Sequence, residues 1–112
     1  MNVHRYQTAG GKDLILNYIE SLTKKEQIDG FSVLEKLQEE KFDELKIKPW
    51  RGKISEVYFH GHNRMFYVIA DGVDLYVLHA CRKQKNKTEA KDADKVIERA
   101  KTLGESLSKK FV

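Results

Sequence analysis

The sequence predicts an α+β domain in which helices pack on an antiparallel sheet. Two observations carry this. Apolar residues recur at helical spacing in the first third of the chain, and after Pro49 the period changes to two. Runs rich in aromatic and β-branched residues then alternate with turn residues, before a last stretch returns to helical spacing.

Residues 1–8 can form a short strand, ended by Ala9, Gly10 and Gly11. Leu14, Ile15, Tyr18, Ile19 and Leu22 follow at helical spacing. "TKKE", residues 23–26, has the capping-box pattern, in which threonine and glutamate satisfy each other's free backbone donors. The helix it opens carries Ile28, Phe31, Leu34 and Leu37 and runs to about Glu40, so a helical hairpin is expected. Residues 54–60, 64–71 and 73–82 are the predicted strands, a three-stranded antiparallel meander. Asp71-Gly72 is a hairpin turn in which glycine would accept a positive φ, and residues 60–63 form a looser one. Thr88 is expected to cap a final helix marked by Ala93, Ile97, Ala100, Leu103 and Leu107, with Gly104 a point where it can shorten. The expected order is an N-terminal strand, a helical hairpin, the meander and a C-terminal helix, in one domain over residues 1–112.

Composition narrows the function classes. A formal charge of +4 permits an anionic partner without demanding one. Cys81 is the only cysteine, which excludes an internal disulfide and suggests a reducing compartment. No apolar run is long enough to span a bilayer, and the first residues lack a signal-peptide core, so a cytoplasmic protein without a membrane partner is expected.

The charge distribution says more. An antiparallel meander puts His60, His62, Arg64, His79, Arg82 and Lys83 at one end of the sheet, with Lys85 and Lys87 just beyond. Arg51 and Lys53, at the start of the first meander strand, would lie roughly 20 Å away. Arginine can fork onto two phosphate oxygens, and lysine is a mobile point charge. A solvated lysine surface is the bland alternative, weakened by Arg64, which opens an otherwise apolar strand. His60, His62, His79 and Cys81 are zinc-capable, but their spacing fits no common zinc pattern and the surrounding cations oppose a metal. No metal and no cofactor are expected. Cys81 reads as a packing residue and Trp50 as a lid on the core.

Residues 54–100 resemble the RelE/HigB superfamily of toxin-antitoxin toxins, especially its phage-derived HigB-like branch. Glu56-Val57-Tyr58 falls on a Glu-Leu-Arg motif, and Arg64-Met65-Phe66-Tyr67 on a basic-aromatic strand. Residues 77–81 fall on an apolar strand ending in Leu-His-x-Phe, and residues 83–89 on a Lys-Lys-Thr-x-Lys-Thr-Pro segment. Arg64, Lys83, Lys87 and Thr88 match. Tyr58 stands in place of the usual arginine, Cys81 of phenylalanine, Gln84 of lysine and Glu89 of proline.

The resemblance implies a RelE-like fold and a metal-independent, ribosome-dependent mRNA endonuclease. Its partners would be the ribosome, mRNA and a helix-turn-helix, HigA-like antitoxin, with DNA contacted only through the antitoxin complex. RNA carries its own nucleophile, the 2′-hydroxyl, so cations that stabilise the phosphorane suffice. Arg64 is the candidate for transition-state stabilisation and Lys83 for backbone binding; Arg82, Lys85 and Lys87 are further candidates for RNA binding. His60 or His62 is the candidate for proton transfer, with Glu56 a rival. Tyr58 would stack on a base or donate to phosphate. A non-catalytic nucleic-acid-binding module and a domain docking an acidic protein are the competing readings.

Overall fold

The computed structural model describes residues 1–83 and 88–112. In chain order these form β1 (Asn2–Arg5), α1 (Leu14–Glu20), α2 (Lys24–Gln38), a single 3-10 turn (Phe42–Glu44), β2 (Lys46–Arg51), β3 (Ile54–Phe59), β4 (Asn63–Ile69), β5 (Asp74–Arg82) and α3 (Ala90–Leu107). The expected α+β architecture is present. The strands make one five-stranded sheet in the order β1-β5-β4-β3-β2. β1 runs parallel to β5, and the other pairs are antiparallel.

The sheet separates two apolar layers. Ile15 and Ile19 of α1 and Val33 and Leu37 of α2 pack on Val57, Phe59, Met65, Tyr67 and Val77. On the opposite face Val96 and Ala100 of α3 pack with Ile54, Phe66, Val68, Leu78 and Phe111. A bulge between β4 and β5 makes this division possible, because Phe66 pairs with His79 while Tyr67 pairs with Val77, leaving Leu78 as the extra residue. Leu78 and His79 consecutively face α3, one in its core and the other bonded to Asp92.

Several sequence expectations are corrected. The meander has four strands, because residues 46–51, ahead of the predicted first strand, pair with β3. Pro49 is accommodated there because β2 is the outer strand of the sheet. Arg51 therefore ends a strand rather than beginning one, and Lys53 lies after the turn residue Gly52. Gly72 does not take a positive φ. Its turn is closed by the Asp71 carboxylate, which accepts from the amides of Val73 (2.8 Å) and Asp74 (2.9 Å). Asp71 is held below the usual carboxylate range by these bonds.

Both expected features of the final helix change as well. Glu89, not Thr88, occupies the cap position of α3, and it makes no side-chain capping bond. α3 runs through Gly104. Glycine is needed at that place because a methyl there would collide with the Lys109 carbonyl, where the chain doubles back. The doubled-back tail buries Phe111, whose carbonyl accepts from the Lys53 amide at 2.7 Å.

The capping box of α2 forms as expected, and does more than cap. Glu26 is buried and also accepts from Asn63 Nδ2 (2.6 Å) and from Arg82 Nη2 (2.8 Å). The hydrogen bonds from Thr23 and Asn63, with Arg82 beside it, lower its pKa from 4.5 to about 2. Tyr18 of α1 donates to Asn63, and burial pushes its hydroxyl up to about 12. Gly61 is obligatory in this turn, since its φ is +86° and a methyl would overlap the Glu26 carboxylate.

A candidate phosphate-binding site

Strand register assembles the site. Lys46 on β2 lies opposite Tyr58 on β3, Tyr58 opposite Arg64 on β4, and Arg64 opposite Cys81 on β5. The neighbouring row is Lys48, Glu56, Phe66 and His79. Side chains two apart on a strand share a face, so both rows project on the α3 side of the sheet.

Arg64 is the centre. Its side chain is 0% exposed. Nη1 donates to Glu56 Oε2 (2.8 Å) and to Thr88 Oγ1 (2.9 Å), which uses both of its hydrogens. Nε and Nη2 have no partner among the described residues. Those two nitrogens form one edge of the guanidinium, the edge that can grip two oxygens of one phosphate or carboxylate. A buried donor normally has an acceptor, so this edge asks for an anion.

Tyr58 organises the remaining charges. Its hydroxyl donates to Glu56 Oε1 (2.6 Å) and accepts from Lys83 Nζ (3.0 Å). The guanidinium of Arg64 is 5.0 Å from the ring centre, and the ammoniums of Lys46 and Lys48 are at 5.4 and 5.5 Å. Cations thus approach the ring from the strands on either side. They occupy the approaches a stacked base would use, which makes the hydroxyl, not the ring, the chemically available part of Tyr58.

The predicted site residues divide between the two faces. Tyr58, Arg64 and Lys83 are brought together. Arg82 is placed on the helical-hairpin side, where it pairs with Glu26 and donates to the Gly61 carbonyl (2.6 Å). Grouping residues by the end of the sheet ignored the alternation of side chains along β5. His60 and His62 lie in the β3–β4 turn. The His60 amide is held by Asp29 of α2 (2.6 Å), and the His62 carbonyl accepts from the Lys83 amide (2.7 Å). No hydrogen bond ties either imidazole to Arg64, Tyr58 or Lys83 among the described residues. Lys85 and Lys87 lie outside the described residues. Lys46 and Lys48 were missed, although "KIK" followed by a proline and a tryptophan is alternation of the strand kind. Thr88, expected as a helix cap and matched by the resemblance, proves to be an acceptor for Arg64.

His79, Cys81 and Asp92 place ligand-type atoms within 4.8 Å of one another. Their chemistry opposes a cation. Arg99 Nη1 lies 3.1 Å from His79 Nδ1, and a guanidinium can only donate, so Nδ1 accepts and Nε2 carries the proton toward Asp92 at 2.8 Å. A metal at Nε2 would need the opposite tautomer. Burial holds the His79 pKa below its ordinary value and pushes the Cys81 thiol up to about 12. The group is a hydrogen-bonded tie between α3 and β5. A cavity of about 620 Å³ lies on the far side of that tie, lined by His4, Tyr6, Tyr76, Arg99 and Leu103 among others, and contains none of the clustered cations.

No helix among the described residues is long and apolar enough to cross a membrane. No curated protein matches the chain. The sequence profile of the family described as phage derived protein Gp49-like matches residues 17–101, which include both helices of the hairpin from Asn17 onward, the four-stranded meander and most of α3. The chain belongs to the phage-derived Gp49-like protein family.

Proposed function

We propose that the protein is the toxin of a type II toxin-antitoxin system, an endonuclease that cuts mRNA on the ribosome and so stops translation and growth. The single observation that carries the reading is the Arg64 edge: two fully buried guanidinium nitrogens without a partner among the described residues, with Lys46, Lys48 and Lys83 gathered about the neighbouring tyrosine. Membership of a phage-derived family of the RelE/HigB toxin type supports it.

In this reading the scissile phosphate takes the Nε–Nη2 edge of Arg64, which stabilises the charge that grows on phosphorus as the adjacent 2′-oxygen attacks. Lys46, Lys48 and Lys83 hold the flanking backbone and position that oxygen. The products are a 2′,3′-cyclic phosphate and a 5′-hydroxyl end. The cognate partner is a helix-turn-helix antitoxin, the substrate is message held in the ribosome, and the site of action is the cytoplasm.

Induced expression of the chain without antitoxin, with growth and mRNA ends followed, tests this. Growth arrest with cyclic-phosphate ends in translated messages is expected. Normal growth and intact messages, from chain shown to be soluble, would refute it. One observation favours a second reading, a binding module without cleavage: Arg64 is fully covered and already paired with Glu56. Salt-sensitive RNA binding with no new ends would select that alternative.

A further inference from the structure

We infer that the Tyr58 hydroxyl takes the proton from the attacking 2′-hydroxyl and passes its own to Glu56. This rests on the endonuclease reading and names the acid–base pair that reading lacks.

Attack by a 2′-hydroxyl needs a group to receive its proton, and the candidates around Arg64 are few. His60 and His62 sit in the β3–β4 turn beside α2 without a bond to the cluster. His79 has both nitrogens engaged, with Asp92 and Arg99. Glu56 is the carboxylate bonded into the cation cluster among the described residues, both oxygens in use. The bonds from Tyr58 and Arg64 would compete with a sugar hydroxyl for those oxygens. The half-buried Tyr58 can be reached, and its hydroxyl hydrogen already lies on Glu56 Oε1 at 2.6 Å.

Proton transfer then runs along an existing hydrogen bond. The O2′–H bond breaks and its proton goes to the Tyr58 oxygen, while the original Tyr58 proton moves to Glu56 Oε1. The O2′ electron pair forms the bond to phosphorus. The P–O5′ bond breaks with its pair on O5′, which takes a proton from water, and Glu56 afterwards returns its proton to the hydroxide so formed. Lys83, donating to the same phenol oxygen at 3.0 Å, favours the negative charge that builds there between the two transfers. The groups around Glu56 are Arg64 on β4, Tyr58 with Lys83 behind it, Lys48 opposite on β2, and Thr88, which bonds the same Arg64.

The test is single-turnover cleavage by the purified full chain at saturating programmed ribosomes, followed as a function of pH. Tyr58→Phe keeps the ring and removes the hydroxyl; it should cut about a hundredfold more slowly while binding ribosomes as tightly. Glu56→Gln should lose the acidic limb of the rate profile, a change that a merely structural carboxylate would not produce. Thermal melting identifies any variant that fails to fold, and Tyr58→Phe, which leaves the Glu56–Arg64 pair intact, keeps the test open if Glu56→Gln does. Wild-type rates from folded Tyr58→Phe, or an unchanged acidic limb in folded Glu56→Gln, would overturn the relay while leaving the endonuclease standing. A wild-type chain that leaves message whole would overturn both.

Discussion

Arg64 and Glu56 are buried partners, and that changes what mutating either one measures. Removing one member of a buried pair strands the other charge, typically at a cost of 3–5 kcal/mol. Arg64→Ala is therefore expected to lose about 3 kcal/mol of stability in urea denaturation, with part regained in the double variant Arg64→Ala, Glu56→Gln. A double variant that loses the sum of what Arg64→Ala and Glu56→Gln lose singly would show that the pair is not coupled. Arg64→Lys keeps a charge but offers no forked edge, and should reduce cleavage about a hundredfold at saturating ribosomes. Burial was only half legible in the sequence: an arginine opening "MFYVIA" pointed to an unusual cation, whereas its pairing with a residue on the adjacent strand depended on register.

Glu26 supplies a second residue-scale test. Its folded pKa is lowered from 4.5 to about 2, so its contribution is fully present above the unfolded value and disappears as pH falls through that interval. Wild-type stability should drop between about pH 5 and pH 2, and Glu26→Gln should flatten part of that decline. Asp71, whose shift has the same sign, contributes to the same decline. An identical acid limb in the variant would show that the Thr23, Asn63 and Arg82 contacts do not favour the charged form.

Among the elements, α3 separates helix propensity from packing. Alanine is a better helix former than glycine by about 1 kcal/mol, so propensity alone predicts that Gly104→Ala stabilises. Collision with the Lys109 carbonyl predicts the reverse, a loss of roughly 1–3 kcal/mol. Denaturation decides the sign, and faster hydrogen exchange at the Lys53 amide would show that the Phe111 tail has been released. The sequence showed a glycine in a helical stretch but gave no sign that a strap returned over it. β2 was missed for a related reason: Pro49 suggests a boundary, and only the sheet order reveals an outer strand that tolerates it. The capping box was readable because both partners lie within four residues.

For the whole molecule, the sheet decides which positive charges act together. Lys46, Lys48 and Lys83 share the α3 face with Arg64, whereas Arg82 lies across the sheet in an ion pair. In RNA binding, Lys48→Ala should flatten the salt dependence by about one unit of slope, while Arg82→Ala should leave the slope nearly unchanged and lower the melting temperature instead. Equal flattening by both would place RNA across both faces. The strand sequence could identify the charged end of the sheet, because hairpin connection fixes it. It could not assign faces beyond the bulge at Leu78, where one extra residue reverses the alternation for the rest of β5.

The paired burial of Arg64 and Glu56 also has a consequence over descent. A lineage that discards the arginine leaves a stranded carboxylate in its core, and one that discards the glutamate leaves a stranded guanidinium, so either loss creates selection for the other. Inactivated descendants should therefore carry compensated changes at both positions more often than independent drift would produce. Aligned phage-borne relatives with frequent single replacements at either place would contradict this.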